Sequence, residues 1–462
     1  MLKCCGCQTN FILPLGGSFL FSKNFLPTPS LTGGLVMPIR RTIKCSLRSA
    51  IRRLLFFPFF NIGDFMESTK KISLFIVVFL GLLTAITPLG TDLYLPALPI
   101  MPHELNTNAS LIQMTIGIMT FGIAIGQLIG GPLSDSLGRK KPLIIGNILC
   151  VIASILCAIA PNIEILLVAR FLQGLTGSIG VVIAKAISRD FASGKELMRL
   201  MSLLMLINGL APVIAPLIGG QLLLFSTWRF IFIVLAVFSA VLLMGSFIFT
   251  ESLPSEKRIS GGITTAFKNY GVLLKDNSFL GQTLVQLFAF GGFFAYISGS
   301  SFVYQNIFNL SAQEFSYMFG INSCGIILAS VISAKVSNVV KIKTILHTSL
   351  LQLTIGSILF LCAMYFNWSF IITSIILFCT VCTVSVFGST GFSMAMAKYG
   401  HKAGSASAIL GFAGMFSAGF VTPLVGIGGS HTGIPMGIVM VVCAVLALVC
   451  FYTMIKEDSS IS

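Results

Sequence analysis

Two charged side chains lie where the sequence offers them little water. Asp92 sits in TDLYLPALP, residues 91–99, at the far end of an apolar run, and Arg170 sits inside a second run, LLVARFLQGLTGS, residues 166–178. Placing either at the centre of a membrane helix costs about 2.5–3.5 kcal/mol on insertion scales, so each calls for a reason. The chemistry the pair can do is proton exchange: a carboxyl loaded or unloaded according to how near a cation stands and how much water reaches it. With a rise of about 1.5 Å per residue, Asp92 lies about 30 Å from the start of its segment and about 10 Å short of its far end. Arg170 lies about 10 Å into its own segment from that same side. The two are therefore expected to share a depth, face one cavity and govern each other's charge. The competing roles are a static ion pair that only positions two helices and, for Asp92, a side chain that merely reaches the head groups.

The elements that must hold these residues follow from composition. Of 462 residues, 55% are hydrophobic and 9% charged, whereas soluble chains carry about 25% charged residues. Such a chain cannot cover its surface in water and reads as a polytopic membrane protein. Crossing a hydrocarbon core of about 30 Å takes about 20 apolar residues. Twelve segments qualify: 72–98, 109–131, 142–160, 163–186, 201–225, 230–250, 279–302, 314–336, 344–366, 369–397, 403–427 and 434–455. The twelve Cys are mostly inside these runs, Cys379 and Cys382 among them, and read as small buried hydrophobes rather than a disulfide framework or metal site.

Lys and Arg set the orientation. With Lys70 and Lys71 on the cytoplasmic side, alternation also places there Arg139, Lys140, Lys141, Lys185, Arg189, Lys195, Arg199, Lys257, Arg258, Lys268, Lys275, Lys335, Lys341, Lys343, Lys398, Lys402 and Lys456. Only Arg229 falls outside. The net charge of +15 is thus an orientation signal and not a nucleic-acid footprint. Residues 66–250 form a first six-helix bundle, 251–278 a polar cytoplasmic loop, and 279–462 a second six-helix bundle with a short tail. The expected class is an all-α membrane protein, a plan that suits alternating access with a site between the halves. Residues 1–65 hold eight Lys or Arg and no acid before Asp64. They read as a basic extension upstream of a natural start at Met66, with a transit segment or a regulatory tail as alternatives.

Neutral polar and aromatic groups on other helices are candidates to line the cavity: Gln113, Gln173, Gln282, Gln286, Phe290, Phe294, Tyr296 and Asn322. For each alone, helix packing or an interhelical hydrogen bond is the competing role.

Three motifs mark helix ends and interfaces. After the second segment the chain reads GGPLSDSLGRKKPL, residues 130–143, in which Asp135 and Arg139 would share a face on a helical turn. This stretch resembles the loop motif of the major facilitator superfamily, matched by Gly131, Leu133, Asp135, Gly138, Arg139 and Lys140. The resemblance implies a cytoplasmic latch that switches with conformation. Leu166, Arg170, Gln173 and Gly174 resemble the fourth-helix motif of the proton-driven members, which implies that Arg170 helps proton transfer; Thr176 stands where Gly is usual. APVIAPLIGGQ, residues 211–221, resembles the antiporter motif through Pro216, Gly219 and Gly220, with Ala211 and Ala215 in place of glycines. Physically, Pro216 removes a helix hydrogen bond while small neighbours permit close packing.

A finer resemblance, to the Bcr/CflA branch of bicyclomycin- and chloramphenicol-resistance exporters, rests on TDLYLPALP, AKAISRDF, GLAPVIAPLIGG, GGFFAYISGSSFVYQ and AGSASAILGF. It covers residues 70 to 455 or so. It implies a proton-driven efflux transporter, not an enzyme, with no cofactor and no metal. Its partners are protons, small-molecule drugs or metabolites and the lipid bilayer, with no nucleic acid. The chain is expected as a monomer in the bacterial inner membrane, both termini cytoplasmic. The rivals are a proton-coupled symporter, an exporter of one specific metabolite, a membrane-embedded enzyme and a passive channel. One acid and one Arg at depth make neither a hydrolytic site nor a ring of charge.

Overall fold

The computed structural model describes residues 73–258, 262–399 and 403–455. Residues 1–65 and the anchors Lys70, Lys71, Lys402 and Lys456 lie outside the described residues. Among the described residues, 12 helices are long and apolar enough to cross a membrane. In chain order these are α1 (Leu74–Asp92), α2 (Ala109–Leu137), α3 (Lys140–Ile159), α4 (Ile163–Phe191), α5 (Gly194–Phe225) and α6 (Trp228–Ile248). After a linking helix, Gly262–Leu274, come α7 (Asn277–Phe302), α8 (Ala312–Val336), α9 (Ile342–Tyr365), α10 in two pieces (Phe370–Val381 and Val384–Tyr399), α11 (Ala403–Val425) and α12 (Ile434–Met454).

Helices are the only open-ended elements that satisfy every backbone group in hydrocarbon, which is why the apolar runs take this form. At four of their starts, those of α2, α4, α7 and α8, a side chain accepts the first free N–H groups. Asn108 accepts from the Leu111 N–H at 2.9 Å and Asn162 from the Ile165 N–H at 3.0 Å. Asp276 opens α7 by accepting from Ser278 and Phe279, and Ser311 with Glu314 forms a reciprocal capping box on α8.

The helices gather into two six-helix bundles. In the first, α2 packs on α4, α3 on α6, and α1 on α4 and α5; in the second, α7 packs on α11 and α12, and α9 on α12 and α10. The bundles meet chiefly along α2 with α11 and α5 with α8. Large apolar side chains such as Met205, Val237 and Ile355 point outward, as a lipid-facing surface requires. The end of the bundles that carries Arg139 and Lys140 is called the basic end below; the other is the opposite end.

Several expected ends are short. α2 runs to Leu137 instead of 131, α4 to Phe191 instead of 186, and α5 begins at Gly194 instead of 201. Apolarity marks where lipid stops, not where a helix stops, so these polar final turns are helical outside the apolar window. The tenth segment, read as one stretch over 369–397, is interrupted at Cys382 and Thr383, and the first ends its α-helical part at Asp92.

Candidate functional site

The site is built on the end of α1. Pro96 has no N–H to give the carbonyl four residues back, that of Asp92, so the α-helix stops there and the chain continues as a turn and a 3-10 segment, Leu95–Ala97. A helix end leaves carbonyls without intrahelical donors. The Leu89 carbonyl takes the Leu93 N–H. The Gly90 carbonyl takes Arg170, whose Nη1 donates to it at 2.9 Å and to Gln173 Oε1 at 2.6 Å.

Arg170 is fully buried, and its guanidinium lies 4.3 Å from the Tyr94 ring centroid and 5.5 Å from that of Phe232. Its Nε and Nη2 have no strict hydrogen-bond partner among the described residues. Asp92 is 4% exposed. The ion pairs among the described residues are Arg139 with Asp135, Arg139 with Asp190, and Arg258 with Glu251, so Asp92 and Arg170 do not form one in this conformation. They do share a level, because Arg170 reaches α1 two residues before Asp92. The charge of Arg170 is held by a backbone carbonyl, a side-chain amide and aromatic faces. Gln173, proposed as cavity lining, has both ends of its amide engaged inside the first bundle, Nε2 donating to Ser154 Oγ at 2.9 Å.

Prolines free the acceptors for some of the contacts outside each bundle. Each helical proline removes the donor from the carbonyl four residues earlier. Pro216 frees the Pro212 carbonyl, which accepts the Ser323 hydroxyl of α8 at 3.4 Å. In the 3-10 turn after Asp92, the Leu95 carbonyl, already holding the Leu98 N–H, also accepts the Ser301 hydroxyl of α7 at 2.7 Å. Pro132 frees that of Leu128, which accepts the Tyr270 hydroxyl of the linking helix at 3.2 Å. Tyr270 and Leu273 also pack with Ala406, Ile409 and Leu410 of α11, so the linking helix touches both bundles. At the opposite end, Gln305 donates to the Pro96 carbonyl at 3.1 Å, Gln313 to that of Gly220 at 2.8 Å, and Ser110 to that of Pro423 at 2.6 Å.

The antiporter-like stretch on α5 lies at the junction of these parts. A Cβ on Gly219 would run into the Leu93 carbonyl, directly after Asp92, and a Cβ on Gly220 would meet Ser316 Oγ on α8 at 2.5 Å. α5 is one continuous helix through Pro212 and Pro216. Its small residues thus bring the turn after Asp92 and the second bundle against one helix.

At the basic end, Asp135 and Arg139 pair as the spacing requires, Arg139 Nη1 donating to Asp135 Oδ1 at 2.5 Å and Nε to Asp190 Oδ2 at 3.0 Å. The motif, read as a loop, is mostly helical: Gly131 to Leu137 are the last turns of α2, and Gly138, at φ +88°, makes the tight reversal. A side chain there would be strained and would meet Glu251 and Arg258. Glu251 accepts from the N–H groups of Arg139 at 2.8 Å and Lys140 at 3.2 Å, capping α3. Burial pushes the Glu251 carboxyl up, but backbone N–H donors from Leu253, Arg139 and Lys140, with nearby Arg258, outweigh it and hold it below the usual glutamate range. Asp190 and Glu251 were not foreseen; they stand 51 and 112 residues from Arg139, beyond any local pattern.

The remaining candidates divide. Tyr296 and Asn322 meet, Asn322 Nδ2 donating to Tyr296 OH at 2.8 Å, and Tyr296 stacks on Phe293 and Phe319 with centroids 6.2 and 5.7 Å away. Phe294 is buried core. Phe290 is half-buried against Phe293 and faces Gly388 and Gly414. Gln286 donates to the Leu410 carbonyl at 3.2 Å, while its Oε1 and those of Gln282 and Gln113 lack partners among the described residues. Gln113 is near the opposite end of α2 and Gln282 near the basic end of α7, so one small ligand does not touch both. Buried Tyr304, Thr373 and Ser374, not singled out from sequence, also have hydroxyls without strict partners.

The family model described as Major Facilitator Superfamily matches residues 80–423. An "Uncharacterized MFS-type transporter YdgK" of Bacillus subtilis (strain 168) is 42% identical, over 84% of this chain and 97% of its own. A "Bicyclomycin resistance protein homolog" of Haemophilus influenzae is 30% identical over 85% and 99%, and the "Multidrug resistance protein MdtL" of Shigella dysenteriae serotype 1 is 27% identical over 79% and 92%. Among solved structures, the nucleoside transporter NupG superposes with a TM-score of 0.68 at 14% identity, over 82% of this chain and 100% of that one. A D-xylose-proton symporter superposes with 0.64 at 16%, over 83% and 97%. At these identities the structural likeness speaks for the fold.

Proposed function

The chain belongs to the major facilitator superfamily, a multi-pass membrane transporter family and not an enzyme family, and on that premise we propose that it is a proton-driven exporter of small-molecule drugs or metabolites in the bacterial inner membrane. The basic end is cytoplasmic. Both termini lie on that side, and one chain is the working unit. The observation that carries the reading is Asp92: a buried acid at a helix break, without an ion-pair partner among the described residues, packed beside the antiporter-like stretch of α5. The bicyclomycin- and multidrug-resistance names of relatives at 30% and 27% identity support export of drug-like cargo.

In this mechanism Asp92 takes a proton while the site is open to the extracytoplasmic side. The bundles then rock, and the proton leaves to the cytoplasm as cargo binds near Tyr296, Asn322 and the phenylalanines of α7. Arg170, tied to the Gly90 carbonyl, is the cation whose approach to Asp92 favours release. The contacts through Gln305, Gln313 and Ser110 close the opposite end, so this conformation corresponds to the step with the extracytoplasmic side shut. A proton moving inward through 100 mV contributes about 2.3 kcal/mol, about a fiftyfold bias per proton.

Asp92→Asn in proteoliposomes tests the reading. A pH gradient drives uphill cargo movement by the wild type, and the variant exchanges cargo only down its gradient, at least about a hundredfold less coupled. Full coupling in the variant removes Asp92 from the mechanism. Uptake with the gradient, rather than export against it, would identify the rival proton symporter.

A further inference from the structure

The basic end of the second bundle carries a cluster that transport leaves unused. Lys341 precedes α9, Lys343 and His347 lie in its first two turns, and Tyr452 lies in the last turn of α12. His347 Nε2 and the Tyr452 hydroxyl are 2.5 Å apart and tie the two helices together. The imidazole stacks on Phe451 with centroids 5.5 Å apart, and Lys343 Nζ lies 5.9 Å from the same ring. Tyr452 is 64% exposed, and Lys341 is exposed.

Charge balance distinguishes this cluster from its counterpart in the first bundle. There Arg139 and Arg258 have Asp135, Asp190 and Glu251. On α9 and α12 themselves there is no acid; the second bundle's acids are Glu314, used in the capping box at the opposite end, and Glu457 and Asp458, which lie outside the described residues. Cationic side chains at the level of a basic helix end attract anionic lipid. Beside them runs an apolar track: Leu351, one turn along α9 from His347, and Val449, three residues before Tyr452, are 37% and 50% exposed. A head of cations and a hydroxyl above an open apolar track matches the two ends of a phospholipid.

We propose that the outer face of the α9–α12 seam at the basic end binds an anionic phospholipid, its phosphodiester against Lys341, Lys343 and the His347–Tyr452 pair and an acyl chain along Leu351 and Val449. The occupant is a lipid and not a free anion, because the track is apolar and continues toward the bilayer centre.

The test uses the full chain in nanodiscs of phosphatidylcholine with increasing phosphatidylglycerol, read by thermal unfolding and by native mass spectrometry of retained lipid. The wild type is expected to gain stability and to retain phosphatidylglycerol. A neighbouring cation strengthens such binding by about fivefold, so Lys343→Ala with His347→Ala should weaken it by about tenfold or more. Because His347→Ala also removes the tie to Tyr452, each protein is compared with itself, by the shift in unfolding temperature it gains from phosphatidylglycerol over pure phosphatidylcholine. Lys141→Ala, an exposed charge of the first bundle, should leave the response intact. If the double variant is already destabilised in phosphatidylcholine, lipid retention by Lys343→Gln alone decides. Unchanged phosphatidylglycerol binding in the variants overturns the proposal. So does an equal stabilisation by inorganic phosphate in phosphatidylcholine discs, which would make the cluster a soluble-anion site.

Discussion

Between Leu74 and Glu256 the chain carries Asp92, Glu104, Asp135, Glu164, Asp190, Glu196, Glu251 and Glu256, whereas between Asn277 and Ile455 it carries Glu314 alone and no arginine. The two bundles share a helical plan but not a chemistry. The first holds its buried polar groups around charges: Arg170 on Gly90 and Gln173, Arg139 on Asp135 and Asp190. The second offers neutral amides and hydroxyls, and several, such as Gln282, Gln286 and Thr373, have atoms without strict partners among the described residues, whereas in the first bundle such atoms belong to Arg170 and Gln113. An unsatisfied buried polar atom costs about 1–3 kcal/mol, so these groups gain most from a water or a cargo group. Under the proposed mechanism the charged first bundle handles protons and the neutral second bundle holds cargo.

The sharpest way to break that contrast is at its junction. Gly219→Val puts a branched side chain into the Leu93 carbonyl and displaces the turn that carries Asp92. Coupled transport should fall by more than about tenfold while the protein still reaches the membrane, since overpacking of this kind costs about 1–3 kcal/mol. Normal coupling in Gly219→Val would show that α5 does not hold Asp92.

A middle-sized effect is expected at the basic end, and it depends on pH. The Glu251 carboxyl is held below its reference value of 4.5 in the folded protein. Its contribution to stability is therefore complete above that value and is lost as pH falls through the lower folded one. Thermal unfolding followed from neutral pH into the acid range should show this loss, and Glu251→Gln should flatten that part of the profile and lower the midpoint at pH 7. An unchanged profile would mean that Glu251 does not cap α3 in solution.

The smallest effects test the contacts between bundles. Tyr270→Phe deletes the hydroxyl on the Leu128 carbonyl, worth about 1 kcal/mol, and should shift the balance of conformations about fivefold. Ser323→Ala removes a longer bond, 3.4 Å, and should shift it less. Cysteine accessibility at the opposite end, measured in both variants, ranks them. Equal and negligible shifts would show that neither the Tyr270 nor the Ser323 hydroxyl sets the balance between conformations.

How much of this was legible follows from the range of each interaction. The spans could be read because apolarity is local, and the common level of Asp92 and Arg170 could be read from helix rise. That Arg170 rests on the Gly90 carbonyl could not, because it depends on Pro96 ending the helix at Asp92 and so exposing a main-chain acceptor. The Asp135–Arg139 pair is four residues apart and was visible; Asp190 and Glu251 complete the cluster from distant helices and were not. Gln173 looked like cavity lining from its place near Arg170, and only packing shows it turned toward Ser154.

Pro132 and Pro216 give the joints they make an uneven genetic exposure. The acceptor in each is a main-chain oxygen, present whatever side chain evolution places at Leu128 or Pro212. The donor is a single hydroxyl, lost in one codon change. The joint can also be undone without touching either partner, by replacing the proline and restoring an N–H that reclaims the oxygen for its own helix. Two opposite edits, deleting an oxygen on one side or adding a hydrogen on the other, therefore converge on the same loosened joint.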